Sequence, residues 1–341
     1  MNKLQNNIIY FIFDVGGEFG LGHLKRCQIF GKEFIKNGFF CHYYYENFHD
    51  INLSKFISFK NSFIKVIKNK NLEIIYENKP KPLLTVIDKK YIDKNFISSI
   101  KKYSKVLQID DFKRELNADY ILNTNHFLKE IKYKGFIEKN IMFGKKYNLI
   151  DKYYFNLKNN YQINSRNILI SMGGEDPNNH TLKILRLLRK LDKSICKKII
   201  IGPSHPNPKS IRDECNQYHL NFSIISSPNS LKRYFQNINI AFSACGLTLR
   251  DLIASGIPTI GIPIEKDQEY SYKNFLSNNL VFDIKELEKL DSKKIFYIDD
   301  FFPSINRSVI REACKDFYKS PGANVIVKWL IEKLYQCNFQ D

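Results

Sequence analysis

The chain has 341 residues, a formal net charge of +18, 43% hydrophobic and 26% charged side chains. That length asks for about two domains, the apolar share excludes a disordered chain, and no run reaches the roughly 18 apolar residues that cross a bilayer. The 7 cysteines include no Cys-x-x-Cys pair, which argues against a disulfide framework or a structural zinc and for reduced, mostly buried thiols. The N-terminus has one lysine and then Gln5, Asn6 and Asn7, with no small-residue cleavage site, so a soluble cytoplasmic protein is expected. The lysines are spread along the chain, so the charge favours anionic partners without naming one.

Taken in order, Ile8–Val15 is a continuous apolar run that reads as a strand buried on both faces, and it leads into Gly16–Gly17. A helix follows from His23 to about Lys36, stopped by Asn37–Gly38. Phe40–Tyr45 and Pro82–Asp88 are strands, 93–103 is a helix, and Val106–Asp110 and Tyr120–Asn123 are short strands; the stretch 50–80, rich in Lys, Asn and Ile, gives no clear period. The second half repeats the rhythm. Strands are expected at Asn167–Met172, Lys198–Ile201, Phe222–Ser226, Ile238–Ser243 and Thr259–Ile264. Helices are expected at 178–190, 208–219, Leu231–Gln236, 248–255, 304–318 and 323–336.

Strand–helix alternation predicts α/β architecture, with parallel sheets covered on both faces. The polar, aromatic stretch Asp151–Asn164 marks a boundary, giving two doubly wound, Rossmann-like domains across a cleft, 1–157 and 158–320. The tail 321–341, with Trp329, Leu330 and Leu334, reads as a helix packing back on the first domain. In such sheets ligands sit beyond the carboxyl ends of the strands. Glycines collect there: Gly16, Gly17, Gly20 and Gly22 after the first strand, then Gly173–Gly174, Gly202 and Gly246. Glycine permits tight bends and close approach of a phosphate to backbone amides. No Gly-x-x-x-x-Gly-Lys-Ser/Thr run occurs, and the first loop lacks Gly-x-Gly-x-x-Gly spacing, so a P-loop is excluded and NAD use is poorly supported.

His23 follows Gly22 and opens the first helix, where the positive end of the helix dipole disfavours imidazolium. A neutral imidazole is what a general base needs near pH 7. Arg26, three residues on, shares that helix face. Other features have plainer readings. Asp110–Asp111 and Asp299–Asp300 read as caps or solvated turns rather than metal ligands, His180 as a surface residue, and Tyr43–Tyr45 as a half-buried strand rather than a base-stacking platform.

Gly20-Leu-Gly22-His23-Leu-Lys-Arg26-Cys27 resembles the glycine–histidine loop of the UDP-sugar hydrolases of pseudaminic acid biosynthesis and of related spore-coat polysaccharide proteins. Further likenesses run in order: Ile109-Asp110-Asp111, Leu122-Asn123-Thr-Asn125, Ser171-Met-Gly173-Gly174-Glu-Asp176-Pro177-Asn178-Asn179, Gly202-Pro203-Ser204, Ser243-Ala244-Cys245-Gly246-Leu-Thr248-Leu-Arg-Asp251, Asp267-Gln268 and Gly322-Ala323. Three departures stand out. Ile12-Phe13-Asp14 replaces the family's Arg-x-Asp, Ser243 and Cys245 replace glycines, and Asp88-Lys89-Lys90-Tyr91 replaces Asp-x-Tyr.

The resemblance implies a GT-B fold and hydrolysis of UDP-2,4-diacetamido-2,4,6-trideoxy-β-L-altropyranose to UDP and free sugar, with no metal and no cofactor. It implies His23 as the base that activates water, and Asp14, Gly20, Gly22, Arg26, Asp88 and Asn123 as binding positions around it. UDP would rest on Gly173–Gly174 and on the loop of Ser243, Ala244, Cys245, Gly246 and Thr248; Asp251 would accept ribose hydroxyls and Gln268 would contact sugar or phosphate. The partner is then a UDP-sugar rather than nucleic acid or membrane, and a monomer is expected. A sugar-nucleotide-dependent glycosyltransferase on the same scaffold is the alternative, and a basic nucleic-acid binder is a third reading.

Overall fold

A computed structural model describes residues 7–16, 20–47, 62–66, 73–76, 80–111, 114, 117–124, 140–157, 167–285 and 297–337. Contacts divide the chain into two compact units, Met1–Ile150 with Pro321–Asp341, and Asp151–Ser320. The division falls at 150/151 rather than 157/158 for a local reason. Asp151 Oδ2 accepts Lys232 Nζ at 2.7 Å, and Tyr154 packs on Phe235 with ring centroids 5.0 Å apart, so the short helix Lys152–Phe155 is anchored in the second unit.

The first unit runs β1 (Ile8–Val15), α1 (Gly22–Lys36), β2 (Phe40–Asn47), β3 (Ser62–Val66), α2 (Glu73–Tyr76), β4 (Leu84–Asp88), α3 (Lys94–Lys101), β5 (Lys105–Ile109), β6 (Tyr120–Asn123) and β7 (Ile141–Phe143). Its strands form a 7-stranded sheet in the order β3-β2-β1-β4-β5-β6-β7, with every pairing parallel.

The second unit runs α4 (Lys152–Phe155), β8 (Asn167–Ser171), α5 (His180–Leu187), β9 (Cys196–Ile201), α6 (Pro208–Gln217), β10 (Phe222–Ser226), β11 (Ile240–Ala244), α7 (Leu247–Ala254), β12 (Thr259–Ile262), α8 (Lys266–Ser277), β13 (Phe282–Asp283), α9 (Ile298–Phe301) and α10 (Ser304–Phe317). Its 6-stranded parallel sheet has the order β10-β9-β8-β11-β12-β13. Helix α11 (Ala323–Cys337) returns to the first unit.

Apart from Asp14, β1 is apolar and needs cover on both faces. Ile9, Phe11, Phe13 and Val15 pack with Cys27, Phe30 and Phe34 of α1 and with Ile326, Val327 and Leu330 of α11. Ile8, Tyr10 and Ile12 pack on the other face with Ile97 and Ile100 of α3. Trp329 meets Tyr120 edge-on at 5.5 Å. Helix α1 lies close on the sheet because residue 31 is glycine: a Cβ there would stand 1.9 Å from the Tyr43 hydroxyl oxygen. Tyr43, Tyr44 and Tyr45 are all buried, not half-buried, because β2 is an inner strand of a sheet covered on both sides. In the second unit Ile168, Ile170 and Met172 pack on Ile184 and Leu185 of α5 and on Ile211 and Cys215 of α6.

Beyond the expected set the structure adds β3, α2, β7, α4, α8, β13 and α9. The segment 178–190 ends as a single 3-10 turn after α5, and Leu231–Gln236 is a 3-10 turn over Lys232–Phe235. Within 50–80 only β3, α2 and Pro80 are described; the remainder of that stretch, like Gly17, Asn125 and 158–166, lies outside the described residues. The cysteines at 27, 41, 196, 215, 245 and 314 are free thiols, all buried except the half-buried Cys196.

In both sheets the order in which the chain adds its strands reverses at the middle, between β1 and β4 in the first and between β8 and β11 in the second. Such a reversal separates the loops that follow the two strands and opens a crevice at their carboxyl ends. In the first unit this crevice receives the loop into His23 and the end of β4. In the second it receives Gly173–Gly174 and Cys245–Gly246.

Candidate functional site

The loop after β1 is shaped by glycine. Gly16 and Gly20 both adopt positive φ, 85° and 55°, and the Gly16 N–H donates to the Gly20 carbonyl at 2.9 Å, so the chain folds straight back into α1. No side chain caps the N-terminus of α1. His23 lies in its first turn, beside the end of β4.

Asp88, the last residue of β4, is the hub. Its Oδ1 lies 2.6 Å from His23 Nδ1. Arg26 donates to it twice, Nη2 to Oδ1 at 2.6 Å and Nε to Oδ2 at 2.9 Å. Arg26 Nη1 donates to Asp111 Oδ2, and the Thr124 hydroxyl donates to Asp111 Oδ1 at 2.5 Å. In a neutral imidazole, a carboxylate at hydrogen-bond distance from Nδ1 selects the tautomer with its proton there, which places the basic lone pair on Nε2. Arg26 Nη2 is also 3.3 Å from Nδ1, but a protonated Nδ1 cannot accept from it. The His23 side chain keeps 15% of its surface exposed and Asp88 1%, so the ring, not the carboxylate, is open to a reactant.

Beside this cluster stands a second one. Lys89 Nζ donates to Asp14 Oδ1 and lies 3.3 Å from Glu46 Oε1. Burial pushes the Asp14 carboxyl up, and Lys89 offsets that only in part. Burial works against the charge on Arg26, but Asp111 and Asp88 outweigh it and hold the guanidinium well above its ordinary range. Asp110 is fully buried and takes the Arg114 N–H and Nε–H on its two oxygens at 2.7 and 3.1 Å. Asp110–Asp111, expected as caps or solvated turns, both hold arginines, and Asp110 also accepts a backbone N–H as a cap does. Asp299, by contrast, is 65% exposed beside Arg307, and Asp300 accepts the Tyr297 N–H at 2.7 Å.

The expected binding positions of the first unit divide into two sets. Asp88 and Arg26 meet His23 directly. Gly20 and Gly22 shape the loop. Asp14 is held by Lys89, and Asn123 is buried at the end of β6. Arg26, expected among the ligand contacts, is 5% exposed and grips two carboxylates instead. Lys89, Asp111 and Thr124 were missed as site residues, although each immediately follows a strand or nearly so.

The carboxyl edge of the second sheet is built differently. Gly173 has φ 86°. Gly202 is needed for close approach: a Cβ there would lie 2.2 Å from the Gly174 carbonyl oxygen, which also accepts the Ser204 N–H at 3.1 Å. Asp176 caps α5 itself, accepting the His180 and Thr181 N–H groups at 2.7 and 2.9 Å. His180 is half-buried, and burial lowers its tendency to protonate. Gly246 is the N-cap of α7; no side chain bonds into that helix end, and a Cβ on Gly246 would meet nothing within 4 Å. Thr248 is half-buried in the first turn of α7. An uncapped helix end beside open space is suited to an anion.

Three of the expected positions at this edge have definite places in the fold. Ser243 and Ala244 belong to buried strand β11, and the Ser243 hydroxyl donates to the Ala244 carbonyl at 3.0 Å, so the turn itself is only Cys245–Gly246. Asp251 is 1% exposed on α7. Gln268 Oε1 accepts Cys245 N–H at 3.1 Å and Ile264 N–H at 3.2 Å, so its carbonyl ties two strand-end loops together. Among the described residues no group of three or more His, Cys, Asp or Glu side chains could hold a metal ion, and no helix is long and apolar enough to cross a membrane.

No family model matches the chain. An uncharacterized protein of Methanocaldococcus jannaschii is 25% identical over 294 residues, 79% of this chain but 58% of that protein, so the chain spans little more than half the length of this relative. Solved structures match over nearly the whole chain. A glycosyltransferase of Rickettsia africae gives a TM-score of 0.62 at 13% identity, covering 97% of this chain and 98% of its own. A putative UDP-N-acetylglucosamine 2-epimerase of Listeria monocytogenes gives 0.61 at 12% identity, covering 97% of each. MurG of Acinetobacter baumannii gives 0.58 at 13%, covering 95% of this chain and 99% of its own. The protein has the GT-B fold, two parallel α/β units in one chain.

Proposed function

We propose that the protein is a sugar-nucleotide enzyme in which His23 activates a hydroxyl nucleophile against the anomeric carbon. The observation that carries this reading is the His23–Asp88 pair at 2.6 Å at the switch point of the first sheet, with the His23 side chain half-buried and the carboxylate buried. The nucleophile gives its proton to Nε2, its oxygen bonds to the anomeric carbon, and the bond to the β-phosphate oxygen breaks as the nucleoside diphosphate leaves. The glycine-lined edge of the second sheet, with the uncapped end of α7, holds the diphosphate through backbone amides.

Two nucleophiles divide the reading. Transfer to an acceptor hydroxyl is supported by the fold neighbours, one described as a glycosyltransferase. Hydrolysis of a UDP-linked 2,4-diacetamido-2,4,6-trideoxy sugar is supported by the glycine–histidine loop Gly20–Cys27 and the ordered motifs beyond it. The deciding experiment follows UDP release from that UDP-sugar with and without hydroxyl acceptors. Release in buffer alone supports hydrolysis, release only with an acceptor supports transfer, and absence of both, with no thermal stabilisation by UDP, removes the proposal.

A further inference from the structure

The structure surrounds His23 with more charge than a base needs. On its own helix stand Arg26 and Cys27, at the end of β1 Asp14, and at the end of β4 Asp88 and Lys89. Glu46 of β2 joins through Lys89, and Asp111, after β5, joins through Arg26. A carboxylate 2.6 Å from an imidazole favours imidazolium. An imidazolium cannot accept a proton from a nucleophile, so an Asp88 left to itself would orient the ring and at the same time disarm it.

We infer that Arg26 is a positioning residue that keeps His23 a neutral base, by fixing Asp88 in a two-point grip and compensating the negative charge that Asp88 places beside the ring. This rests on the reading of His23 as the base. The grip uses both Asp88 oxygens, with Nη2 and Nε at 2.6 and 2.9 Å, so the carboxylate plane cannot rotate away from Nδ1. Asp111 balances the other side. It takes Nη1, and the Thr124 hydroxyl holds it at 2.5 Å, so the guanidinium is spread between two carboxylates from neighbouring strand ends. Arg26 is buried in this arrangement, which separates it from the role of a phosphate-binding arginine. A lysine could carry the charge but not the fork.

The test titrates the His23 ring by NMR in the full-length chain, its signals assigned by their absence in His23→Ala, and records the pH profile of kcat/KM alongside. Arg26→Gln removes the compensating charge, so the His23 midpoint and the acid limb should both move up by about one pH unit or more. Asp111→Asn leaves Arg26 to Asp88 alone, so both should move down by roughly half a unit. Arg26→Lys should hold the midpoint within roughly 0.3 units while kcat falls about tenfold and KM changes little. A folded Arg26→Gln with an unmoved midpoint overturns the inference, as does an Asp111→Asn midpoint that moves up. Should Arg26→Gln not fold, the other two variants decide. If no sugar nucleotide is turned over at all, the proposed function fails, while the NMR midpoints still judge Arg26.

Discussion

The two strand-reversal crevices of this chain are furnished in opposite ways. The first is lined by ionisable side chains: His23, Arg26, Asp88 and Asp111, with Asp14, Lys89 and Glu46 beside them. The second is lined by backbone. Gly173, Gly174, Gly202 and Gly246 leave amides and carbonyls at the surface of the turns, and its side chains, Asp176 and Gln268, serve to tie loops and helix ends together. One topology thus supports two kinds of chemistry. In the proposed function a neutral imidazole held by a carboxylate takes a proton, while glycine turns and an uncapped helix end hold an anion without adding a titrating group.

The largest effect is expected at Asp88. Asp88→Asn offers the ring an amide, which no longer dictates the Nδ1–H tautomer, and turnover should fall by about 10²–10⁴-fold. Binding of UDP, assigned to the other unit, should stay within about twofold by calorimetry. A matching loss of UDP affinity would mean that the two regions do not divide the work as proposed.

Gly202→Ala probes the other side. Its Cβ would meet the Gly174 carbonyl at 2.2 Å, so the second unit should lose about 1–3 kcal/mol in urea unfolding. UDP should bind at least about tenfold more weakly, with the pH profile unmoved. Gln268→Ala removes the shared acceptor of the Cys245 and Ile264 amides; Cys245 N–H keeps the Ile262 carbonyl at 3.1 Å, so the change should cost about 1 kcal/mol, with a smaller loss of UDP affinity.

The smallest effect concerns a buried lysine away from both crevices. Lys197 is fully buried in β9 and donates to the Ile195 carbonyl at 2.9 Å. Burial brings its ammonium down to about 8. An unfolded lysine titrates near 10.4, so between these values the unfolded chain binds more protons and stability rises with pH. Lys197→Met should flatten that rise by about 1–2 kcal/mol, read from chemical denaturation at pH 7.5 and 10.5.

Much of the fold is legible in the residues. The continuous apolar runs Ile8–Val15, Tyr120–Asn123 and Phe222–Ser226 mark strands that the structure forms over the same bounds. Elements with weak patterns are not legible: β7 has only 3 residues, β13 has 2, and the largely polar α8 shows no clean apolar stripe. The site is legible where chemistry and glycine coincide, at Gly20–His23, and opaque where it depends on pairing at a distance. His23 and Asp88 are 65 residues apart, and Arg26 and Asp111 are 85 apart. Only the parallel neighbours β4 and β5, beside β1, bring those carboxylates to one helix end, so Arg26 reads from sequence as a ligand contact and in the fold as a clamp. Lys89 follows the same rule, since its partner Asp14 sits one strand away.

The most direct measurement is turnover of a UDP-sugar by His23→Ala beside the unaltered chain, with UDP affinity measured on the same samples. Loss of about 10³-fold in kcat at unchanged UDP affinity is expected if the imidazole takes the nucleophile's proton. Equal rates in the two proteins would show that the ring beside Asp88 is not the base.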